Sequence, residues 1–383
     1  MKKCAQLSLS HKSAHIFHEI TSHVTLFPVP KQRPKKPATI VDVARQAGVS
    51  LGTASRVMNN RRDVAPDLRR RVMEAARILH YVRTRRGRRA ARESLPVISF
   101  VLANREFLHP MHARMLQGAE QYCEERGYFV VFKRFDYAPE TRAEEMKLPS
   151  LLREHGIADS MILAGTNYPN LVEATAAAGI PYVLYGNNLV GYARLPRTDL
   201  ARSDDRAGCL QAVRYLVKLG HRQICYVGDI SQPWFANRYQ AYLSVVEEAG
   251  LEPMAQTVRL SADNFQSGFH SAEVILRQGL RPTAIFCGSD HIALGVWEQL
   301  RRGGVRVPQD CSLVGFDDIP DAEVTNPPLT TVRNPFLEVG RELARLAIEK
   351  AKSPCAPVAE AVLPTELVMR GTTWPCLENL PSG

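Results

Sequence analysis

Much of what would mark an enzyme or an exported protein is missing from these 383 residues. The eight cysteines (Cys4, Cys123, Cys209, Cys225, Cys287, Cys311, Cys355 and Cys376) are scattered and form no C-x-x-C pair. That spacing argues against a zinc site, a redox motif or a disulfide framework, and reduced thiols are the simplest reading. No P-loop or H-E-x-x-H occurs, and no catalytic site, metal or cofactor is expected. No apolar run approaches membrane-spanning length. The opening MKKCAQLSLSHKSAH lacks the apolar core of a secretory signal, so a cytoplasmic location is expected. The tail GTTWPCLENLPSG has no leucine heptad that could build a helical tetramer.

Acid is scarce in one region. Between Lys31 and Arg92 stand 18 Lys/Arg against 4 Asp/Glu, whereas the whole chain carries +10, so the remainder sums to about −4. Basic charge confined to one segment points to a polyanionic partner for that segment. At this length two or three domains are expected.

The stretch 39–60, TIVDVARQAGVSLGTASRVMNN, carries most of the information. Thr39 can cap a helix whose apolar face is Ile40, Val43, Ala44 and Ala47. Gly48 suits a left-handed helix end, and Ser50 can cap a second helix that buries Ala54, Val57 and Met58. Leu51, Gly52, Ser55, Arg56 and Asn59 are left on the other faces. Helix, glycine turn and polar-faced helix make the helix-turn-helix pattern, in which the start of the second helix meets base edges. Arg56 suits bidentate pairing with guanine, and Ser50, Thr53, Ser55 and Asn59 suit phosphate oxygens. A third helix is expected from Pro66 through Leu68, Val72, Ala75, Ala76 and Leu79. Residues 1–38 end in PVPKQRPKKP and read as a basic, disordered extension.

The wording V-D-V-A-x-x-A-G-V-S-x-x-T-A-S-R-V-x-N closely resembles the head of the LacI/GalR family of bacterial sugar-responsive repressors. The resemblance continues through YLVKLGHRQICYVGD, CGSDHIALG, VPQDCSLVGFDD, PPLTTV and PTELVMRG, covering about 39–370. It implies DNA contacts at Thr39, Ser50, Leu51, Gly52, Thr53, Ser55, Arg56 and Asn59. It also implies a hinge over 83–94 that enters the minor groove, with Tyr81, Arg85, Arg86, Arg89 and Ala90 at the DNA. The hinge departs from the family pattern: Arg83-Thr84 replace Pro-Asn, Gly87 replaces alanine, and Ala90 replaces the leucine wedge. Alanine cannot unstack a base step as a larger side chain does, so arginine contacts should carry more of the affinity.

From Leu95 onward, apolar runs alternate with amphipathic helices. The expected strands are 95–103, 128–135, 159–165, 180–186, 224–229, TVRL at 257–260, 284–290 and 311–318. The expected helices include 115–126, 147–155, 205–219, 237–249, 267–278 and 291–302. This alternation indicates doubly wound parallel sheets. Two such units in tandem look like the two-lobed periplasmic-binding-protein fold, with a ligand at the strand ends between lobes. The lobes are expected at about 95–198 with 329–352, and 199–328 with 356–370, followed by a tail over 371–383; the helix-turn-helix domain spans 39–82.

Block-by-block resemblance places effector-binding residues at Phe107, His109, Gln232, Trp234, Arg238, Ser289 and Asp317. Arg238 would anchor ligand hydroxyls or a carboxylate through its planar fork. Asp317 would accept from paired hydroxyls, Trp234 would offer an apolar platform, and Asp290 would cap the next helix. The plainer alternatives are a surface helix arginine at 238 and turn aspartates at 317 and 318. His109-Pro110-Met111-His112 stands where the family often has Asn-Pro-Phe-Phe, which implies an unusual ligand. The combined expectation is a non-enzymatic, homodimeric repressor of double-stranded operator DNA, with a carbohydrate-like effector and no membrane partner. A transport solute-binding protein is the alternative, disfavoured by the basic head.

Overall fold

The computed structural model describes residues 38–58, 64–79, 95–105, 109–150, 157–261 and 263–376. The chain divides into two compact units, Met1–Glu93 and Ser94–Gly383.

The first unit holds three helices, α1 (Ile40–Ala47), α2 (Leu51–Met58) and α3 (Pro66–Ile78). Thr39 and Asp42 form a reciprocal cap on α1: the Thr39 N–H donates to Asp42 Oδ2 at 2.8 Å, and the Asp42 N–H donates to Thr39 Oγ1 at 3.4 Å. Gly48 ends α1 at φ 59°, and its N–H reaches the carbonyls of Ala44 and Arg45. Arg71 of α3 then ties the turn down, donating to the Ala47 carbonyl at 2.7 Å. Val43, Ala44, Ala47, Ala54, Val57, Val72, Ala75 and Ala76 form one small core. Two short helices could not bury enough apolar surface alone, so α3 completes the unit.

The second unit runs β1 (Val97–Ala103), α4 (Pro110–Glu125), β2 (Phe129–Phe135), β3 (Ser160–Leu163), α5 (Pro169–Ala178), β4 (Tyr182–Tyr185) and β5 (Leu200–Ser203). It continues with α6 (Asp205–Lys218), β6 (Ile224–Val227), α7 (Pro233–Glu248), β7 (Met254–Gln256), α8 (Asn264–Arg277), β8 (Ala284–Cys287), α9 (Asp290–Arg302) and β9 (Ser312–Asp317). It ends with α10 (Asp321–Val324), β10 (Thr330–Arg333), α11 (Phe336–Lys352), β11 (Glu360–Leu363) and β12 (Glu366–Val368). These strands form two six-stranded sheets, ordered β11-β5-β4-β3-β1-β2 and β12-β10-β9-β8-β6-β7. Every pairing is parallel except β10 with β12. Each sheet is sandwiched between two apolar clusters, as its uninterrupted apolar strands require.

The chain therefore passes between lobes three times, after β5, after β10 and after β11. The sequence placed these crossings earlier. Residues 200–203 pair with β4, residues 330–333 pair with β9, and residues 360–363 pair with β5, each on the lobe opposite to the one expected. These strands are only four residues long, and β11 pairs with a strand far away in sequence, so nothing local announces their lobe. The strand expected at 257–260 is displaced to Met254–Gln256, an edge strand, leaving Val258 exposed. The helix expected from 115 starts at Pro110, where proline is tolerated in the first turn. Of the helix expected at 147–155, residues 151–156 lie outside the described residues.

Helix pairing inside the first lobe depends on close backbone approach. A Cβ added at Gly118 of α4 would overlap the Leu337 carbonyl of α11, and one at Gly340 of α11 would overlap that of Met115. Only glycine at both positions lets these helices lie so close.

Candidate functional site

The helix-turn-helix unit exposes Leu51, Gly52 and Arg56 at one end and side of α2, with Thr53 and Ser55 partly exposed. Ser50 caps this helix, its Oγ accepting from the Thr53 N–H at 3.1 Å. Thr39 is exposed but engaged in the α1 cap. The structure thus presents an exposed helix start above buried Ala54 and Val57, with Arg56 Nε donating to the Gly52 carbonyl at 3.4 Å. Asn59, Tyr81, Arg85, Arg86, Arg89 and Ala90 lie outside the described residues.

In the core, the carboxyl ends of the two sheets hold a concentration of charge. Arg238, on α7, is buried. Its Nη2 and Nε donate to Asp205 Oδ2 at 2.7 and 3.0 Å, and its Nη2 reaches Asp317 Oδ1 at 3.3 Å. Its Nη1 donates to the Gly288 carbonyl, and the guanidinium lies 3.7 Å from the centre of the Phe316 ring. Burial pulls the guanidinium pKa down, but Asp205 and Asp317 overcompensate and hold it above its ordinary value. Burial pushes the Asp317 carboxyl up to about 7, with Arg238 opposing and Asp205 adding to the rise. Asp317 also sits at φ 109° and Asp318 at φ 55°, a strained turn at the end of β9.

Asp205 stands where the chain first changes lobes. Its Oδ1 accepts from Ser203 Oγ at 2.7 Å, Asn187 Nδ2 at 3.0 Å and Asn334 Nδ2 at 3.4 Å. Asn334 belongs to the second crossing, so one carboxylate links two crossing segments to Arg238.

Nearer the first lobe, the Arg105 guanidinium lies over the Trp234 ring at 4.3 Å, bridging the lobes. The His109 ring lies 5.4 Å from that of His291, again across the cleft, and 5.6 Å from His112. His109 Nδ1 accepts from the Met111 N–H at 3.3 Å, so the ring caps α4. Burial, with His291 and Arg105 nearby, brings the His109 pKa down to about 4, so the ring is neutral near pH 7.

Several expected residues therefore meet: Arg238 with Asp317, Trp234 with the opposite lobe, and His109 at the cleft. Gln232 precedes α7, its amide 3.4 Å from Ser231 Oγ. Ser289 caps α9, accepting from the Ile292 N–H at 3.3 Å, a role the sequence had given to Asp290. Asp290 instead sits inside the first turn, fully buried, accepting from Thr331 Oγ1 at 2.5 Å and the Ile319 N–H at 2.9 Å. The surface-arginine alternative does not hold for Arg238, which is an internal ion-pair centre, while Asp317 and Asp318 do stand in a turn. Phe107 lies outside the described residues.

Sequence reasoning missed Asp205, Arg105 and His291. Asp205 looked like an ordinary acidic residue in a first helical turn. Arg105 follows β1 at its carboxyl end, the place where α/β sheets bind ligands, and that position was its only signal.

Residues 39–84 match the family model described as bacterial regulatory proteins, lacI family, and residues 213–373 match the periplasmic binding protein-like domain. The chain is 30% identical over 338 residues to the HTH-type transcriptional regulator DegA of Bacillus subtilis (strain 168), covering 88% of this chain and 98% of that protein. A solved complex of the transcriptional regulator CelR with cellobiose is similar at TM-score 0.63 and 28% identity, covering 88% of this chain and 99% of that one. The Lac repressor dimer bound to operator and the anti-inducer ONPF is similar at TM-score 0.63 and 25% identity, covering 88% and 100%. Among the described residues no helix is long and apolar enough to cross a membrane. With a helix-turn-helix head ahead of a two-lobed binding core, and with such regulators matching it along most of its length, the chain is a DNA-binding transcriptional regulator, not an enzyme, and belongs to the LacI family.

Proposed function

We propose that this regulator is a cytoplasmic homodimeric repressor whose hold on operator DNA is set by a small carbohydrate-like effector between the lobes. The observation that carries this reading is the Arg238–Asp205–Asp317 cluster, which ties two of the three crossing segments to the end of β9. A ligand that competes for those hydrogen bonds changes how the lobes are joined, which couples its binding to lobe closure and so to DNA affinity. Trp234 supplies an apolar face for a sugar ring, and Gln232, His109 and Ser289 are further contacts in this reading. The cellobiose bound by CelR supports an effector of this class, and the operator-bound Lac repressor dimer supports two-fold symmetry.

At the DNA, Arg56 and Leu51 are the base readers, with Thr39, Ser50, Thr53 and Ser55 on phosphates. The arginines at 85, 86 and 89 add contacts to the minor groove or backbone. Selection of bound sequences from random duplexes is the test: paired, symmetric half-sites are expected, and a single asymmetric site would remove the dimer. For the cleft, Arg238→Lys keeps the charge but loses the fork. It should reduce the melting shift caused by an active sugar at least tenfold in apparent affinity, and an undiminished shift would remove Arg238 from the site.

A further inference from the structure

The cleft holds a second arginine whose circumstances differ from those of Arg238. Arg105 follows β1 and points its guanidinium face onto Trp234 at 4.3 Å. Its Nε is shielded from solvent and has no hydrogen-bond partner. Among the described residues it makes no ion pair and no hydrogen bond. Its electrostatic neighbours are the phenols of Tyr185 and Tyr168 and the cation of Arg259, and burial lowers its pKa to about 10. It therefore remains charged at neutral pH. His109, which senses its field, is neutral. Among the described residues the buried aspartates of the core are committed elsewhere: Asp205 and Asp317 to Arg238, and Asp290 to Thr331 and Ile319.

Arg105 is half-buried, and a cation held partly out of water with no counter-charge among the described residues is costly unless something supplies one. Trp234 occupies the face of the guanidinium, and its edge makes no hydrogen bond among the described residues. That edge is a planar fork of N–H donors matched to two coplanar oxygens. A neutral sugar offers hydroxyls, which do not balance the charge. We infer that the effector is anionic, and that Arg105 receives its carboxylate or phosphate while Trp234 and the Arg238 cluster hold the rest of the molecule. This rests on the cleft being the effector site. It adds the sign of the ligand and a residue to read it.

The test uses the full chain and matched probes: glucose, glucuronate and glucose 6-phosphate, and the same series on galactose and ribose (ribose 5-phosphate), with sodium sulfate against sodium chloride at equal ionic strength. Melting temperature is followed for wild type, Arg105→Gln and Arg105→Lys. An acidic member should raise melting saturably at concentrations at least tenfold below its neutral parent. Arg105→Gln should abolish that preference and Arg105→Lys should keep part of it. Without ligand, Arg105→Gln should melt no lower than wild type, since it removes an uncompensated charge; this also checks that it folds. Whether uronates or phosphate esters respond identifies the oxyanion. A neutral sugar that binds as well as its acid overturns the proposal and leaves the cleft reading standing. Absence of any response in the series, with sulfate affecting wild type and Arg105→Gln alike, overturns the proposal and the cleft reading together.

Discussion

Arg238 and His109 carry buried electrostatics of opposite kinds. Arg238 neutralises two aspartates, so Arg238→Met leaves both buried without a cation and should cost the core roughly 3–5 kcal/mol at neutral pH. Part of that loss should return on acidification. Asp317 is already held up to about 7 with Arg238 in place, and without it the carboxyl protonates still more readily. A folded pKa raised above the unfolded value adds stability that is present at low pH and lost as pH rises through the folded pKa. Urea unfolding at pH 5 and pH 7.5 checks this: the gap between wild type and variant should narrow at pH 5, and an unchanged gap would contradict it. His109 has the reverse sign. Its folded pKa, near 4, lies below the ordinary 6.5, so the unfolded chain takes up a proton that the fold refuses. Stability should fall as pH drops from about 6.5 toward 4, with His221 and His291 shifted in the same direction. His109→Gln should flatten that acid limb while leaving stability at pH 8 nearly unchanged, as followed by melting at half-unit pH steps.

At the scale of elements, two glycine positions decide packing that polar caps alone cannot. Gly48 holds the turn of the head at φ 59°, with Arg71 packed against it. Gly48→Val forces a branched side chain into the left-handed region at roughly 1–2 kcal/mol, before the clash with Arg71 is counted. The head should lose DNA affinity at least tenfold while ligand-induced melting of the core is retained; loss of both would mean the defect is not local. Gly118→Val drives a side chain into the α11 backbone and should destabilise the core by roughly 1–3 kcal/mol or more, since a backbone atom cannot swing aside. The clash is invisible in sequence, because Gly118 and its counterpart Gly340 lie inside helices where glycine is otherwise only a weak helix former.

For the molecule as a whole, charge is divided by function. The basic surplus of 14 over residues 31–92 is set against a remainder of the chain that sums to about −4. Binding that depends on phosphate neutralisation loses affinity as salt rises, by roughly a factor of 10³–10⁵ between 50 and 200 mM for 6–10 contacts. With alanine in place of a leucine wedge at position 90 and five arginines between Arg83 and Arg89, this chain should lie toward the steep end of that range. Fluorescence anisotropy with operator and random duplexes across salt concentrations measures it. A sequence-specific complex that keeps its affinity in high salt would contradict the electrostatic account.

The helical head, the capping pair Thr39 and Asp42, the left-handed Gly48 and the alternation of apolar strands with helices were all written locally. Capping, helix periodicity and turn chemistry act over a few residues, so the sequence alone determined them, together with the family and the expectation that Arg238 and Asp317 belong to one site. What the tertiary structure alone decided is who meets whom over long separations. The short strand 360–363 takes its lobe from register with 200–203, far away in sequence. Asp205 became the partner of Arg238 because the first crossing brings it under α7. Arg105 became a charged group without a counter-ion among the described residues only because the fold half-buries it against Trp234 and commits Asp205 and Asp317 to Arg238.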